Sequence, residues 1–148
     1  MELDETVLSI LHRKGNHILE VAPFTPVYDA LKLMAEKDVG ALLVMSGNVL
    51  CGIFTEKDYA RKIVLEGKRS RYTRVTEVMT SPPIIASPLQ TPDDCLRLMN
   101  RYRIRHLPIV EYGTVIGIIS IGDLVNSIMR RQREEIESLN QYIMATAN

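Results

Sequence analysis

The sequence predicts a mixed α/β (α+β) fold that consists of two copies of one βαββα unit. Two observations lead to this prediction. The order strand, helix, strand, turn, strand, helix occurs twice along the chain, as judged from apolar periodicity and turn residues. A shift of 65 residues also aligns residues 21–58 with residues 86–123 without a gap, so that Asp58 meets Asp123. Because the glycines, the turns and the order of elements coincide, we interpret the chain as an internal duplication.

The first half begins with a short amphipathic helix and continues into the first copy of the unit. Apolar residues at helical spacing predict this helix over residues 3–11, with Asp4 or Thr6 as its cap and Gly15 as its stop. A strand, a helix, a β-hairpin and a second helix opened by Thr55 follow. We predict them at residues 18–21, 29–37, 41–45, 49–54 and 55–65.

The second half repeats this order and ends in a longer helix that Ser120 opens. Its first strand, first helix and hairpin are predicted at residues 84–86, 93–102, 107–110 and 115–119. The final helix has a heptad-like stripe that consists of Met129, Gln132, Ile136, Leu139 and Ile143. This stripe can fold back on the first helix or contact a second subunit, and we favour the second alternative.

Composition divides the chain into four segments. We assign residues 1–66 to the first unit with its N-terminal helix and residues 79–130 to the second unit. Residues 67–78 form a basic linker between them, and residues 131–148 form a C-terminal helical tail. A basic run can bind phosphate or nucleic acid, but this one lacks the repeated aromatic interleaving that supports base stacking, so we interpret it as solvated.

Charge and composition exclude several classes of function. Basic and acidic residues number 18 each, which argues against a nucleic-acid or anionic-membrane partner. The apolar runs are too short to span a bilayer, and the N-terminus lacks the apolar run of a signal peptide. Cys51 and Cys95 lie in apolar stretches and are expected to be reduced, and no set of residues has zinc spacing. We therefore expect a cytoplasmic protein without a metal.

The chemistry of the chain is concentrated in two corners, where the last strand of each unit passes into a helix. The first reads Gly-Ile-Phe-Thr-Glu-Lys-Asp at residues 52–58, and the second reads Gly-Ile-Ile-Ser-Ile-Gly-Asp at residues 117–123. A hydroxyl residue followed three positions later by a carboxylate is a capping box, which is a structural role. The same residues suit a nucleotide, because a helix N-terminus attracts phosphate and a carboxylate can accept both ribose hydroxyls. The two interpretations are compatible.

A catalytic role for the corner hydroxyls is disfavoured. Catalysis by Thr55 or Ser120 would require a general base that a third group orients. The sequence offers only His106 as a base, with nothing to align it. We therefore expect that the chain is not an enzyme.

The duplicated unit and its motifs resemble a pair of CBS domains, also called a Bateman module, of the small stand-alone type. The resemblance rests on the pattern Gly-h-h-Ser/Thr-x-x-Asp, in which h is apolar, on Thr-Pro-Val-Tyr-Asp-Ala-Leu at residues 25–31, and on Arg-His-Leu-Pro at residues 105–108. It extends over about residues 15–130. It implies that the two units face each other across a pseudo-twofold axis and leave two clefts.

The resemblance also implies a regulatory function. Such modules bind adenosine-containing ligands, here AMP, ADP, ATP, NAD or S-adenosylmethionine, with AMP, ATP or NAD favoured. They commonly form homodimers and pass the signal to an effector protein. The alternative is a structural dimerisation module whose clefts are empty.

Carried over residue by residue, the resemblance assigns a role to both corners. Ribose would be bound by Asp123 and Asp58. Phosphate would be bound by Ser120, Thr55, Arg105, His106, Lys57 and Arg61. One adenine pocket, beside Asp123, would consist of Lys14, His17, Ile18, Leu19, Val39 and Gly40. The other, beside Asp58, would consist of Thr80, Pro83, Ile84 and Ile104. Because the first unit has Gly40 where the second has Arg105, we expect one cleft to bind better than the other.

Overall fold

Helices and strands alternate in the duplicated order that the sequence predicts. The computed structural model describes residues 5–15 and 18–146. Its elements are α1 (Val7–Lys14), β1 (Glu20–Val21), α2 (Val27–Lys37), β2 (Ala41–Ser46), β3 (Val49–Thr55), α3 (Glu56–Asp58), α4 (Val75–Val78), α5 (Pro92–Tyr102), β4 (His106–Glu111), β5 (Thr114–Ser120) and α6 (Ile121–Thr146). A π-helical segment, Tyr59–Val64, continues α3, and a 3₁₀ turn, Ser70–Tyr72, precedes α4. The predicted mixed fold with a long C-terminal helix is confirmed.

Each half contains one small sheet. In the first half β1 pairs in parallel with β2, and β2 pairs with β3 as an antiparallel hairpin. In the second half β4 and β5 form the equivalent hairpin, with His106 opposite Ser120. The register of the first hairpin shifts between Val44 and Met45, and that of the second shifts between Ile109 and Val110. The duplication therefore extends to the irregularity of the hairpins.

The strand predicted at residues 84–86 is wrong, because only a single bridge forms there. Ala86 pairs with Ile109 and exchanges two backbone hydrogen bonds with the neighbouring strand. The next residue, Ser87, donates its amide to the side chain of Gln90 at 2.8 Å, and Pro88 has no amide to donate. The chain leaves the sheet at this point, so the pairing does not extend beyond Ala86.

The two helices that precede the units pack in the core of the opposite half. Val7, Ile10 and Leu11 of α1 are buried in the core of the second half. Val75 and Val78 of α4 are buried in the core of the first half. The N-terminal helix that we assigned with the first unit thus packs with the second, and the end of the predicted linker is part of a core. The three-residue spacing of the two valines places both on one helix face.

Backbone hydrogen bonds fix this exchange at the start of both helices. The Val7 amide donates to the Gln90 carbonyl at 2.9 Å, and the Val75 amide donates to the Thr25 carbonyl at 2.8 Å. Thr25 and Gln90 are equivalent positions of the duplication. Because the first amides of a helix have no partner within it, each half supplies acceptors for the helix that it receives.

Two glycines of the corners make room for the exchanged segments. A Cβ atom on Gly52 would lie 2.8 Å from the backbone oxygen of Thr80, and one on Gly117 would lie 2.6 Å from a methyl carbon of Leu11. These distances are shorter than real Cβ contacts allow. The space beside each of the two glycines is therefore occupied by another segment of the same chain.

The outer part of α6 has no packing partner within the described residues. Leu124 and Ser127 are buried, but residues 132–146 are exposed. Met129, Ile136, Leu139 and Ile143 of the predicted stripe are between 53% and 60% exposed. The stripe therefore does not fold back on α1. None of the described helices is both long enough and apolar enough to cross a membrane.

Candidate functional site

Two cavities lie between the halves, one at each corner. Cleft A, with a volume of about 550 Å³, lies at the corner of Ser120 and Asp123. Cleft B, with a volume of about 560 Å³, lies at the corner of Thr55 and Asp58. Gly40 and His106 line both cavities.

Most of the residues assigned to the first adenine pocket line cleft A. The predicted residues found there are Lys14, Leu19, Val39, Gly40, His106, Ser120 and Asp123. Ile18 is not among the lining residues, because it packs against a buried cluster that includes Leu43 and Ile53. His17 lies outside the described residues.

Cleft B brings together the residues assigned to the second pocket, with one exception. The predicted residues found there are Thr55, Lys57, Asp58, Arg61, Thr80, Ile84, Ile104, Arg105 and His106. Pro83 is not among the lining residues. Lys57 also donates a hydrogen bond to the Arg103 carbonyl at 3.0 Å, which joins the two halves across the cleft.

Asp38 and Arg103 were missed by the sequence reasoning. Asp38 lines cleft A and Arg103 lines cleft B. Each follows the last residue of a helix and adopts the left-handed conformation, with φ of 52° and 53° respectively. Glycine or asparagine usually marks such a position, so the residue types gave no signal. The equivalence of the two positions in the duplication was the signal available.

In cleft A the carboxylate of Asp123 is held by Lys14 of α1 and by its own capping box. Its Oδ2 atom accepts hydrogen bonds from the Lys14 ammonium group at 2.7 Å and from the Ser120 amide at 2.8 Å. The Ser120 hydroxyl in turn accepts from the Asp123 amide at 3.2 Å, which completes a capping box. Burial disfavours the charge of Asp123, but these hydrogen bonds outweigh it and lower the pKa of the carboxyl.

In cleft B the carboxylate of Asp58 is more fully engaged and only 5% exposed. Its Oδ2 atom accepts from the Thr55 amide at 3.0 Å and from the Thr55 hydroxyl at 3.1 Å. Its Oδ1 atom accepts from the Thr80 hydroxyl at 3.0 Å and is paired with Lys62 at 3.1 Å. Both oxygens of Asp58 are occupied by protein, whereas the described residues engage only Oδ2 of Asp123.

His106 lies where the two clefts meet. A Cβ atom on Gly40 would lie 3.3 Å from its ring, so the small residue at position 40 leaves room for the imidazole. Burial and the positive charge of Lys14 lower the pKa of His106, although Asp123 acts in the opposite direction. The ring is therefore neutral near pH 7. No group of three or more His, Cys, Asp or Glu side chains in the described ranges could hold a metal ion.

Comparison with known proteins identifies the family. The model of the CBS domain family matches the chain twice, over residues 9–65 and 75–130. The chain belongs to the CBS domain family. The predicted resemblance to a pair of CBS domains is confirmed, and the two halves of the duplication are the two domains.

Two curated relatives show the extent of the similarity. The CBS pair is 41% identical over 122 residues to CBS domain-containing protein CBSX3, mitochondrial, of Arabidopsis thaliana, and covers 79% of this chain but 59% of that protein. It is 33% identical over 124 residues to CBS domain-containing protein YhcV of Bacillus subtilis, and covers 84% of this chain and 88% of that protein. The chain thus spans little more than half of the plant relative and most of the bacterial one.

Solved structures of CBS proteins share the fold. A protein with CBS domains from Burkholderia ambifaria is 49% identical with a TM-score of 0.83, over 86% of this chain and 96% of that one. A hexameric CBS-CP12 protein from bloom-forming cyanobacteria is 28% identical with a TM-score of 0.75, over 84% and 68%. The CBS domain pair of MJ0100, solved with 5′-methylthioadenosine and S-adenosyl-L-methionine, is 22% identical with a TM-score of 0.76, over 87% and 99%.

Proposed function

We propose that this CBS pair is a non-catalytic regulatory sensor that binds an adenosine-containing ligand, with cleft A as its principal site. The observation that supports this most strongly is the mixture of surfaces within that one cavity. Leu19, Val39 and Ile118 offer an apolar wall for adenine. Asp123 offers a carboxylate for ribose, and Ser120 lies at the N-terminus of a helix of 26 residues, which favours a phosphate.

The ribose assignment favours Asp123 over Asp58. Two hydroxyls of a ribose need acceptor atoms that the protein has not already used. Oδ1 of Asp123 accepts no hydrogen bond from the described part of the chain, whereas Oδ1 of Asp58 accepts from Thr80 and Lys62. A ribose in cleft B would have to displace one of these contacts. We therefore expect cleft A to bind the nucleoside part more tightly.

The fold and the cavity both support the class of ligand that we propose. The related pair that carries 5′-methylthioadenosine and S-adenosyl-L-methionine has the same architecture, which supports an adenosine ligand for this chain. AMP, ATP or NAD remain the favoured candidates. The signal would pass to an effector protein in the cytoplasm through a change in the shape or assembly of the pair.

The competing function is a structural dimerisation module with empty clefts. The observation that favours it is that both corners form complete capping boxes, so Asp58 and Asp123 have a role without any ligand. Isothermal titration with AMP, ATP, NAD and S-adenosylmethionine separates the two functions. If titration detects no binding of any of the four ligands, the structural module remains as the function.

A matched pair of variants tests the site itself. Asp94 forms the same capping box with Thr91 at the start of α5, but it lines neither cleft. We expect Asp123→Asn to weaken ligand binding about tenfold or more, because hydrogen bonds to a charged acceptor contribute roughly 1.5–3 kcal/mol each. Asp94→Asn should leave binding unchanged. Equal affinity in the two variants would refute the ribose role of Asp123.

The assembly that we propose is a homodimer in which the stripe on α6 contacts a second copy. Relatives of this fold include a hexameric protein, so CBS pairs do assemble. The stripe residues Ile136, Leu139 and Ile143 are more than half exposed in the single chain. Removal of residues 132–148 leaves the buried part of α6 intact and should weaken the dimer in analytical ultracentrifugation. A truncated chain that sediments as the same stable dimer would exclude the stripe as the interface.

A further inference from the structure

The two clefts are built from equivalent positions of the duplication, but their charged residues differ. Leu19 of cleft A corresponds to Ile84 of cleft B, so the apolar walls match. Asp38 of cleft A, however, corresponds to Arg103 of cleft B, and both residues have the same left-handed backbone. The same backbone conformation therefore presents a negative side chain to cleft A and a positive side chain to cleft B.

Cleft B has an excess of positive charge. Its cationic lining residues are Lys57, Arg61, Arg103 and Arg105. Glu56 and Asp58 also line the cavity, but the charge of Asp58 is matched by Lys62 at 3.1 Å. Within residues 5–15 and 18–146, no salt bridge involves any of the four lining cations. Their charge is therefore available to a ligand.

Cleft A is balanced in charge. Its lysines are Lys14 and Lys37, and its carboxylates are Asp38 and Asp123. Lys14 and Asp123 are already paired at 2.7 Å. A highly charged anion that entered cleft A would meet as many negative groups as positive ones, so it would gain little from the protein's charge.

We propose that cleft B binds the di- or triphosphate chain of a nucleotide, whereas cleft A binds an adenosine-containing ligand of low net charge. This proposal rests on the proposed function and adds the division of labour between the clefts. Guanidinium groups bind phosphate oxygens through paired hydrogen bonds, and three of the four lining cations of cleft B are arginines. Because these side chains are exposed, binding in cleft B should weaken as the salt concentration rises.

Titration calorimetry with ATP and adenosine tests the division. The variant Arg61→Gln/Arg105→Gln removes two charges from cleft B, and both side chains are exposed, so folding should be preserved. We expect ATP affinity to fall at least tenfold and adenosine affinity to change less than twofold. The control Arg97→Gln/Arg101→Gln removes two arginine charges outside both cavities and should alter neither affinity. An equal loss of ATP binding in the variant and the control would overturn the proposal.

A charge transplant provides the reciprocal test. Asp38→Arg places in cleft A the residue that cleft B has at the equivalent position, and Arg103 shows that arginine accepts this backbone conformation. When Asp38→Arg is introduced into the Arg61→Gln/Arg105→Gln variant, the ATP affinity of that variant should rise at least threefold. No recovery would overturn the assignment of polyphosphate binding to local charge.

Inorganic tripolyphosphate separates this proposal from the proposed function, because it has no adenosine. If tripolyphosphate binds and the arginine variant weakens it while adenosine does not bind at all, the charge assignment stands and the adenosine function fails. If adenosine binds through Asp123 but ATP binds no more tightly than adenosine, the function stands and the division of charge fails. If neither probe binds, both proposals fail.

Discussion

The corners at residues 52–58 and 117–123 share their backbone and their capping boxes, but the carboxylate of each is held differently. Asp58 is buried, and it is held by Thr80 and by Lys62 on the segment that follows its own helix. Asp123 is more accessible, and it is held by Lys14, which comes from the exchanged helix α1. Duplication thus preserved the local geometry while the neighbouring segments gave one corner a mainly structural carboxylate and the other an accessible one.

The largest expected difference concerns the two corner glycines. A methyl group at position 52 would meet the Thr80 carbonyl, which accepts a hydrogen bond from the Ile53 amide, while the Thr80 amide donates to the Ile53 carbonyl. A methyl group at position 117 would meet only the end of the Leu11 side chain. We expect Gly52→Ala to cost about 3 kcal/mol and Gly117→Ala about 1–2 kcal/mol, because a fixed backbone cannot relax as a side chain can. Urea unfolding measures both, and a larger loss for Gly117→Ala would reverse this view of the corners.

The second comparison concerns the carboxylates themselves. Asp58→Asn replaces one of two acceptor oxygens by a donor NH2 group and removes the charge, so two of the four donor contacts in this buried site are lost. It should cost about 2–3 kcal/mol of unfolding free energy. Asp123→Asn weakens a cap and a partly exposed ion pair, and it should cost about 1 kcal/mol or less. Chemical denaturation of the two variants under identical conditions gives the answer. If the two variants lose the same amount of unfolding free energy, the surroundings of Asp58 and Asp123 do not differ as described.

A smaller effect is expected from the Lys14–Asp123 pair in acid. The pKa of Asp123 is lowered in the folded state, so the pair stabilises the fold above the ordinary aspartate value of about 4 and is lost as the pH falls through the folded-state pKa. Lys14→Met, which introduces the residue found at the equivalent position 79, should therefore lose less stability than the native protein between pH 5 and pH 2. We expect a difference below about 1 kcal/mol, because the pair is partly exposed. Lys37→Met, in the same cleft, should show no such change.

Much of the site could be predicted because its signals are local. The two corners are adjacent in sequence to their strands, so the motif at residues 52–58 and its repeat located both carboxylates. The assignment of His106 to the clefts came from the family resemblance, through the motif at residues 105–108. The apolar periodicity of α1 also predicted a buried face, but periodicity does not show which half buries it. The exchange of α1 and α4 between the cores was therefore not predictable from the pattern.

Other features depend on residues that are far apart in the sequence. The linker has one aromatic residue of its own, Tyr72, but folding also places Arg71 4.1 Å from the centre of the Tyr28 ring and Arg74 5.2 Å from that of Phe24. These arginines therefore stack on the first half instead of being fully solvated. The charge difference between the clefts is also a tertiary property, because Arg61 and Arg103 approach the same cavity from different halves.

The smallest and most specific effect concerns His106, whose protonation reports on the charges of cleft A. Burial is the main cause that lowers the pKa of His106. The positive charges of Lys14 and Arg105 lower this pKa further, and the negative charge of Asp123 raises it. NMR titration should place the pKa of His106 below the ordinary histidine value of about 6.5. Lys14→Met should raise this pKa and Asp123→Asn should lower it further, whereas His106→Gln identifies the signal. Because the pKa of His106 is lower in the folded chain, the unfolded chain binds more protons at acidic pH. The free energy of unfolding should therefore also fall as the pH drops below about 6.5. Shifts of the same direction in the two variants would mean that His106 does not respond to the ion pair of cleft A.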